Sequence, residues 1–292
     1  MNRTRAMLAV VPVTLEVPDG MAADVAAVLD GEYEAGYDGD SLTIVDLGAN
    51  VGAFTLWANL RWPNSTIHAY EPNPHTHRLL RANVGHLRNV TCYEQAIYPE
   101  GPSQQMLYGQ YAGDGESGLA AYIGRTFADI PDEGMVPVKV VHPRELPACD
   151  VLKVDVEGGE AAILEAMDLS RVSLVLLEYQ NMTNRRAIER KLADDFYCVF
   201  ADSFNWDPIL ATAGYRPELA GDCYGDMFFI NRRSSRLRRA SGHRRQRDAS
   251  WPTDATRLSL RRAVAILRQA AGRAVAARIG IGGRAADPRD AP

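Results

Sequence analysis

The run Thr43-Ile-Val-Asp-Leu-Gly-Ala-Asn-Val-Gly-Ala-Phe54 sets one carboxylate, Asp46, in an apolar stretch and follows it with Gly48, Asn50 and Gly52. A chain that must turn sharply here lets a ligand approach bare backbone, as α/β proteins do at a nucleotide site. Further on, Thr66-Ile-His-Ala-Tyr70 ends on Glu71-Pro72. A carboxylate at the tip of a second strand is placed to accept hydrogen bonds from a ribose diol. Together the two features point to a ligand of the adenosine type.

The glycine spacing narrows that ligand. A pyrophosphate turn uses G-x-G-x-x-G, and here Asn50 stands where the middle glycine belongs. Asp46 adds negative charge where phosphates would lie. Toward a cation the same carboxylate attracts. S-adenosylmethionine, with an ammonium, a sulfonium and no phosphate, suits this loop better than NAD.

These residues need strands to carry them. From Leu42 onward strand-like and helix-like patterns alternate, which predicts a parallel sheet with helices on both faces. Strands are expected at 43–47, 67–70, 90–94, 151–156 and 173–177, the last ending on Glu178. Helices are expected near 53–59, 75–87, 160–167 and 185–192. Two closing strands, 197–200 and 227–230, complete the sheet, the final one antiparallel. Residues 97–140 break the rhythm with Gly and Tyr between short β-like runs, and read as a lid or binding loop.

Composition bounds the whole. The chain has 292 residues, 46% of them hydrophobic, and a formal net charge of −5. That balance hides an asymmetry: residues 1–231 hold 33 Asp/Glu against 16 Lys/Arg, whereas 232–292 hold 16 Arg against 4 Asp. An acidic body is the wrong sign for a nucleic-acid surface. Residues 1–40 read as a preamble packed on the core, 41–231 as the catalytic domain, and 232–292 as an Arg-rich tail. The tail is expected to be disordered first, then a basic amphipathic helix over 255–279 that suits anionic surfaces. Four scattered cysteines and the absence of a membrane-length apolar run suit a reduced, cytoplasmic protein. The six histidines suggest no metal cage.

Val45-Asp-Leu-Gly-Ala-Asn-Val-Gly52, Glu71-Pro-Asn-Pro74 and Leu152-Lys-Val-Asp-Val-Glu-Gly-Gly-Glu160, in this order, resemble the FkbM family of S-adenosylmethionine-dependent methyltransferases. Lys-x-Asp-x-Glu-Gly-x-Glu is the most distinctive of the three, and the match covers roughly residues 30–231. The resemblance implies a class I methyltransferase fold: a Rossmann-like, seven-stranded, mostly parallel sheet with one antiparallel strand. It also implies O-methylation of a hydroxyl on a sugar or natural-product scaffold. His142-Pro-Arg-Glu-Leu-Pro147 departs from the family pattern.

An alcohol is a poor nucleophile, so a base or a divalent metal is expected beside its oxygen. Asp155 is the first choice of base, with Glu178, Glu157 and His142 as the other candidates. Asp46, Gly48, Asn50 and Gly52 are assigned to the methionine part of the cofactor and Glu71 to its ribose. Asn73, Gln95 and Ala96 are assigned to the neighbourhood of the adenine. Tyr33, Tyr111, Ser117, Phe204 and Trp206 are loop candidates for touching a small hydroxylated acceptor. Lys153 reads as an ion-pair partner, and Glu160 as either a helix-start residue or a catalytic carboxylate. The rival readings are a catalytically silent protein that keeps the cofactor fold, and an RNA methyltransferase using the tail as a basic arm.

Overall fold

The computed structural model describes residues 15–18, 21–99, 104–108, 118–119, 135–205 and 223–234. The expected Tyr111, Ser117 and Trp206, the segment before residue 15 and the tail beyond residue 234 lie outside them.

Strand β1 (Thr43–Leu47) is apolar apart from Thr43 and Asp46, and is almost wholly buried because sheet neighbours flank it on both sides. It pairs in parallel with β2 (Thr66–Tyr70), which pairs with β3 (Val90–Tyr93). On its other side lie β8 (Val151–Val154) and then β9 (Leu174–Tyr179), again parallel. Beyond β9 comes β12 (Cys223–Asn231), antiparallel to β9 and to β10 (Phe196–Ala201) at the edge. The order β10-β12-β9-β8-β1-β2-β3 is a seven-strand path with one reversed strand. A two-residue strand, β11 (Phe204–Asn205), adds to β12.

Between β3 and β8 a smaller sheet forms, in the order β4 (Ala96–Ile97), β7 (Met135–Val141), β5 (Gln104–Tyr108), β6 (Gly118–Leu119). The region expected to be a lid or loop therefore contains backbone-paired strands, and Ala96, just before it, lies in β4. Two of these strands are only two residues long and their partners are distant in sequence, which is why the pairing was not legible.

Helices cover both faces. α1 (Ala22–Leu29) and α2 (Ala53–Arg61) sit on one side, where Phe54 and Trp57 join Tyr33, Tyr37, Ile44, Val151, Leu176 and Phe228 in one apolar cluster. α3 (Pro74–Val84) is started by proline and capped by Asn73, whose Oδ1 accepts from the His75 N–H at 2.9 Å. On the opposite side α4 (Glu160–Ala166) and α5 (Met182–Leu192) pack Ile163, Leu164, Ile188 and Leu192 against Val45, Leu152, Val175 and Phe229. Alternation along each strand then puts Asp46, Lys153, Asp155, Glu178 and Asp226 on the α2 face, in register with Ile44, Val151, Leu176 and Phe228.

Candidate active site

The loop after β1 is built on three left-handed residues, Gly48 (φ +74°), Asn50 (φ +50°) and Gly52 (φ +93°). At Gly48 the fold leaves no alternative to glycine: a Cβ would stand 1.7 Å from the Asp155 carbonyl oxygen. Asn50 tolerates the left-handed region better than most side chains. The Gly48 and Ala49 N–H groups both donate to the Tyr70 carbonyl, stitching the loop to the end of β2.

Glu71 locks the same junction. Its two carboxylate oxygens accept the Asn50 N–H at 3.0 Å and the Asn73 N–H at 2.9 Å. Each oxygen keeps a further lone pair. Burial pushes this carboxyl up to about 7, the two N–H donors opposing it. Asp46, expected to face the methionine moiety, is instead fully buried beneath the loop. Its Oδ2 accepts from Thr55 Oγ1 at 2.6 Å and its Oδ1 lies 3.6 Å from Lys153 Nζ. Burial raises its pKa, with Lys153 and Thr55 pulling the other way. The neighbours of this carboxylate come from β8 and α2, which no local pattern pairs with it.

Lys153, expected as an ion-pair partner, is the hub of these contacts. Its ammonium is buried and donates to the Gly48 carbonyl at 2.7 Å, with the Leu47 carbonyl at 3.4 Å. Asp155 Oδ2 lies 3.4 Å away on the other side. Burial opposes its charge, yet Asp155 and Asp46 hold its pKa above the ordinary lysine value.

After Asp155 the signature turns through Glu157, which adopts φ +62°. Glu160 is fully buried and serves the turn: Oε1 accepts from the Val156 and Gly158 N–H groups, and Oε2 from Asn184 Nδ2 at 3.0 Å. Burial lifts it to about 7. Among the acidic candidates, Asp155 and Glu178 share one sheet face at the carboxyl edge, and Asp226, which was not singled out, stands opposite Glu178. Its signal was a lone aspartate within an otherwise apolar strand.

His142, the imidazole candidate, caps a short 3-10 turn, Pro143–Glu145, its Nδ1 accepting from the Arg144 N–H at 3.0 Å. That turn joins β7 to β8. Tyr33 lies in the turn after α1, but its ring is 4% exposed and packs edge-on against Phe54, with centroids 5.2 Å apart. Phe204, also expected in a loop, lies in β11 against Tyr224, at 5.5 Å between centroids. Gln95 follows β3 and is half-buried, whereas Ala96 packs with Val138 in the smaller sheet. Asn73 spends its side chain as the cap of α3.

Among the described residues no group of three or more His, Cys, Asp or Glu is arranged to hold a metal ion, and no helix is long and apolar enough to cross a membrane.

Comparison with known proteins adds a lineage to this geometry. The model of the FkbM methyltransferase domain matches residues 46–217. The chain is 28% identical to the 31-O-demethyl-FK506 methyltransferase FkbM of Streptomyces tacrolimicus, over 48% of this chain and 65% of that protein. It is likewise 28% identical to Methyltransferase 1 of Beauveria bassiana, over 48% of this chain and 64% of that one. The chain thus spans just under two thirds of the length of these curated relatives. A precorrin-6y C5,15-methyltransferase from Geobacter metallireducens superposes with a TM-score of 0.40 at 16% identity, covering 74% of this chain and 92% of that one.

Proposed function

Because the chain belongs to the FkbM methyltransferase domain family, we propose that it is an S-adenosylmethionine-dependent O-methyltransferase acting on a hydroxyl of a sugar or natural-product small molecule. The observation that carries this reading is the charge of the cleft. Asp46, Glu71 and Asp155 surround the loop, and the buried Lys153 stands between Asp46 and Asp155. That balance favours a cationic adenosyl ligand over a pyrophosphate.

The polar groups present fit such a ligand. Asn50 Oδ1 is buried and has no hydrogen-bond partner among the described residues, so it offers an acceptor to an ammonium or hydroxyl donor. The open lone pairs of Glu71 offer acceptors to a ribose diol. Asp46 acts from beneath, through its field and its hold on Thr55 and Lys153, not by contact.

The cofactor, when bound, supplies a methyl group on a sulfonium, a carbon already activated for displacement. The chain then has to align the acceptor, exclude water and remove one proton. Asp155, on the α2 face beside the loop, and Glu178, one strand further along, are the groups proposed to take it. The name of the Streptomyces relative, which specifies an O-demethyl substrate, supports a hydroxyl as acceptor.

Calorimetric titration of the full chain with S-adenosylmethionine, S-adenosylhomocysteine and NAD tests the reading, with Glu71→Ala as control. Micromolar binding of both adenosyl ligands, weakened at least tenfold in the control, is expected. Binding of NAD alone would overturn the assignment.

A further inference from the structure

We propose that Asn83, on α3, is a positioning residue for the adenosyl cofactor: it pins residues 15–18 to the loop after β1, and so makes a stretch of chain ahead of the family domain part of the cofactor seat. This rests on the methyltransferase reading above and deepens it by naming what holds the loop in its binding shape.

One carboxamide makes the connection. Asn83 Oδ1 accepts the Glu16 N–H at 2.7 Å, and Asn83 Nδ2 donates to the Glu16 carbonyl at 3.0 Å. The side chain thus pairs with both backbone groups of Glu16, as a neighbouring strand would. Nδ2 also donates to the Val51 carbonyl at 2.8 Å, inside the loop. Only one orientation of the amide satisfies all three contacts, because two carbonyls need donors and one N–H needs an acceptor. Asn83 is 7% exposed, so losing it would leave buried polar groups without partners.

Packing runs along the same line. Leu15 packs against the cluster that holds Ala49 and against the one that holds Val51, and Val17 packs against the second. Ala49 and Val51 flank Asn50, whose N–H is fixed by Glu71 and whose Oδ1 is the acceptor assigned above to the cofactor. At the end of the loop α3 comes so close that a Cβ on Gly52 would stand 3.0 Å from Leu80 Cδ1 and 3.2 Å from Val84 Cγ1. α3 therefore backs Gly52 directly and reaches Val51 through Asn83.

The loop needs such support. Asn50 sits at φ +50°, a conformation that a non-glycine residue keeps only where its surroundings impose it. Residues 15–18 and Asn83 supply part of those surroundings. They lie on either side of the start of the matched domain, which begins at residue 46. Asn83 acts through the Val51 carbonyl and not on the cofactor itself. Coupling of this kind is reciprocal: a ligand that binds the loop in this shape tightens residues 15–18 by the factor with which they tighten the ligand.

Amide hydrogen exchange of the full chain, read residue by residue by NMR, tests this with Asn83→Ala and Glu16→Pro. Glu16 is exposed, so the proline removes the N–H that Asn83 accepts and leaves the core as it is. Without ligand, the Asn50 and Gly52 amides should exchange about tenfold faster in both variants, while those of β8 and β9 keep their rates. Saturating S-adenosylhomocysteine should slow the Glu16 amide of the unaltered protein by about tenfold, and calorimetry should show binding weakened by a similar factor in Glu16→Pro. A merely structural Asn83 would give no ligand-dependent protection at Glu16. Unchanged loop exchange in Glu16→Pro, or a Glu16 amide indifferent to bound S-adenosylhomocysteine, would overturn the proposal. If Asn83→Ala does not fold, Glu16→Pro and the unaltered protein still decide. Failure of the unaltered protein to bind S-adenosylhomocysteine would instead remove the methyltransferase reading, and the ligand-free rates alone then decide whether residues 15–18 hold the loop.

Discussion

Lys153 Nζ lies 2.7 Å from the carbonyl oxygen of Gly48 and 3.4 Å from Asp155 Oδ2. One buried ammonium therefore ties the loop after β1 to the carboxylate after β8. It joins the proposed cofactor seat to the proposed acceptor side. Lys153→Met would leave Asp46 and Asp155 facing each other without compensation. Breaking a buried ion pair from one side costs about 3–5 kcal/mol. Calorimetric melting should show that loss, and any folded fraction should bind S-adenosylhomocysteine at least tenfold more weakly.

Gly48 and Asn50 are both left-handed, yet substitutions there should differ sharply. Gly48→Ala drives a Cβ to 1.7 Å from the Asp155 carbonyl at φ +74°, so two strand ends must separate. A loss of about 3 kcal/mol or more is expected in urea unfolding. Asn50→Gly keeps the backbone happy at φ +50° and should change stability by about 0.5 kcal/mol or less. Its effect should appear in ligand affinity, because the buried Oδ1 acceptor is gone.

Glu71 gives a pH dependence of definite sign. Its carboxyl titrates near about 7 in the fold against 4.5 ordinarily, so between those values the folded chain binds more protons than the unfolded one. The corresponding stability is complete below 4.5 and is lost as pH rises through about 7. Glu160 titrates near the same value and contributes in the same direction. Glu71→Gln and Glu160→Gln should each flatten a stability profile measured from pH 4.5 to 8. A ribose diol donating to Glu71 favours the ionised form, so adenosyl-ligand affinity should rise with pH over the same window. Titrations in buffers of different ionisation enthalpy should then detect proton release on binding.

Glu160 braces the signature turn by accepting from the Val156 and Gly158 N–H groups and from Asn184. Glu160→Ala leaves those donors unsatisfied and should cost about 2–4 kcal/mol, with Glu160→Gln retaining part of the loss. Asn184→Ala combined with Glu160→Ala should cost less than the sum of the two single changes. Thermal unfolding of the four proteins closes that cycle.

The sequence by itself determined the sheet strands that carry the site, the glycine turn, and the order of Asp46, Glu71 and Asp155 along the carboxyl edge. These were legible because their causes are local. Apolar runs are bounded by turn residues, left-handed positions call for Gly or Asn, and parallel strands joined by helices return their ends to one edge. The final strand itself was legible from its run of apolar residues; its antiparallel direction is seen in the pairing with β9 and β10.

Only the tertiary structure decided which side chains meet. Asp226 faces Glu178 because β12 inserts between β9 and β10, and strand pairing across such a distance depends on the whole sheet. Tyr33 reads as a loop aromatic, yet burying its ring beside Phe54 and Phe228 outweighs its turn setting. His142 reads as an imidazole base, yet its nearest unmet need is the Arg144 N–H two residues away. Asp46 is drawn beneath the loop because Thr55 and Lys153, from separate elements, converge on it. Local preference sets where the chain turns; burial and the pairing of distant polar groups set what each functional group faces.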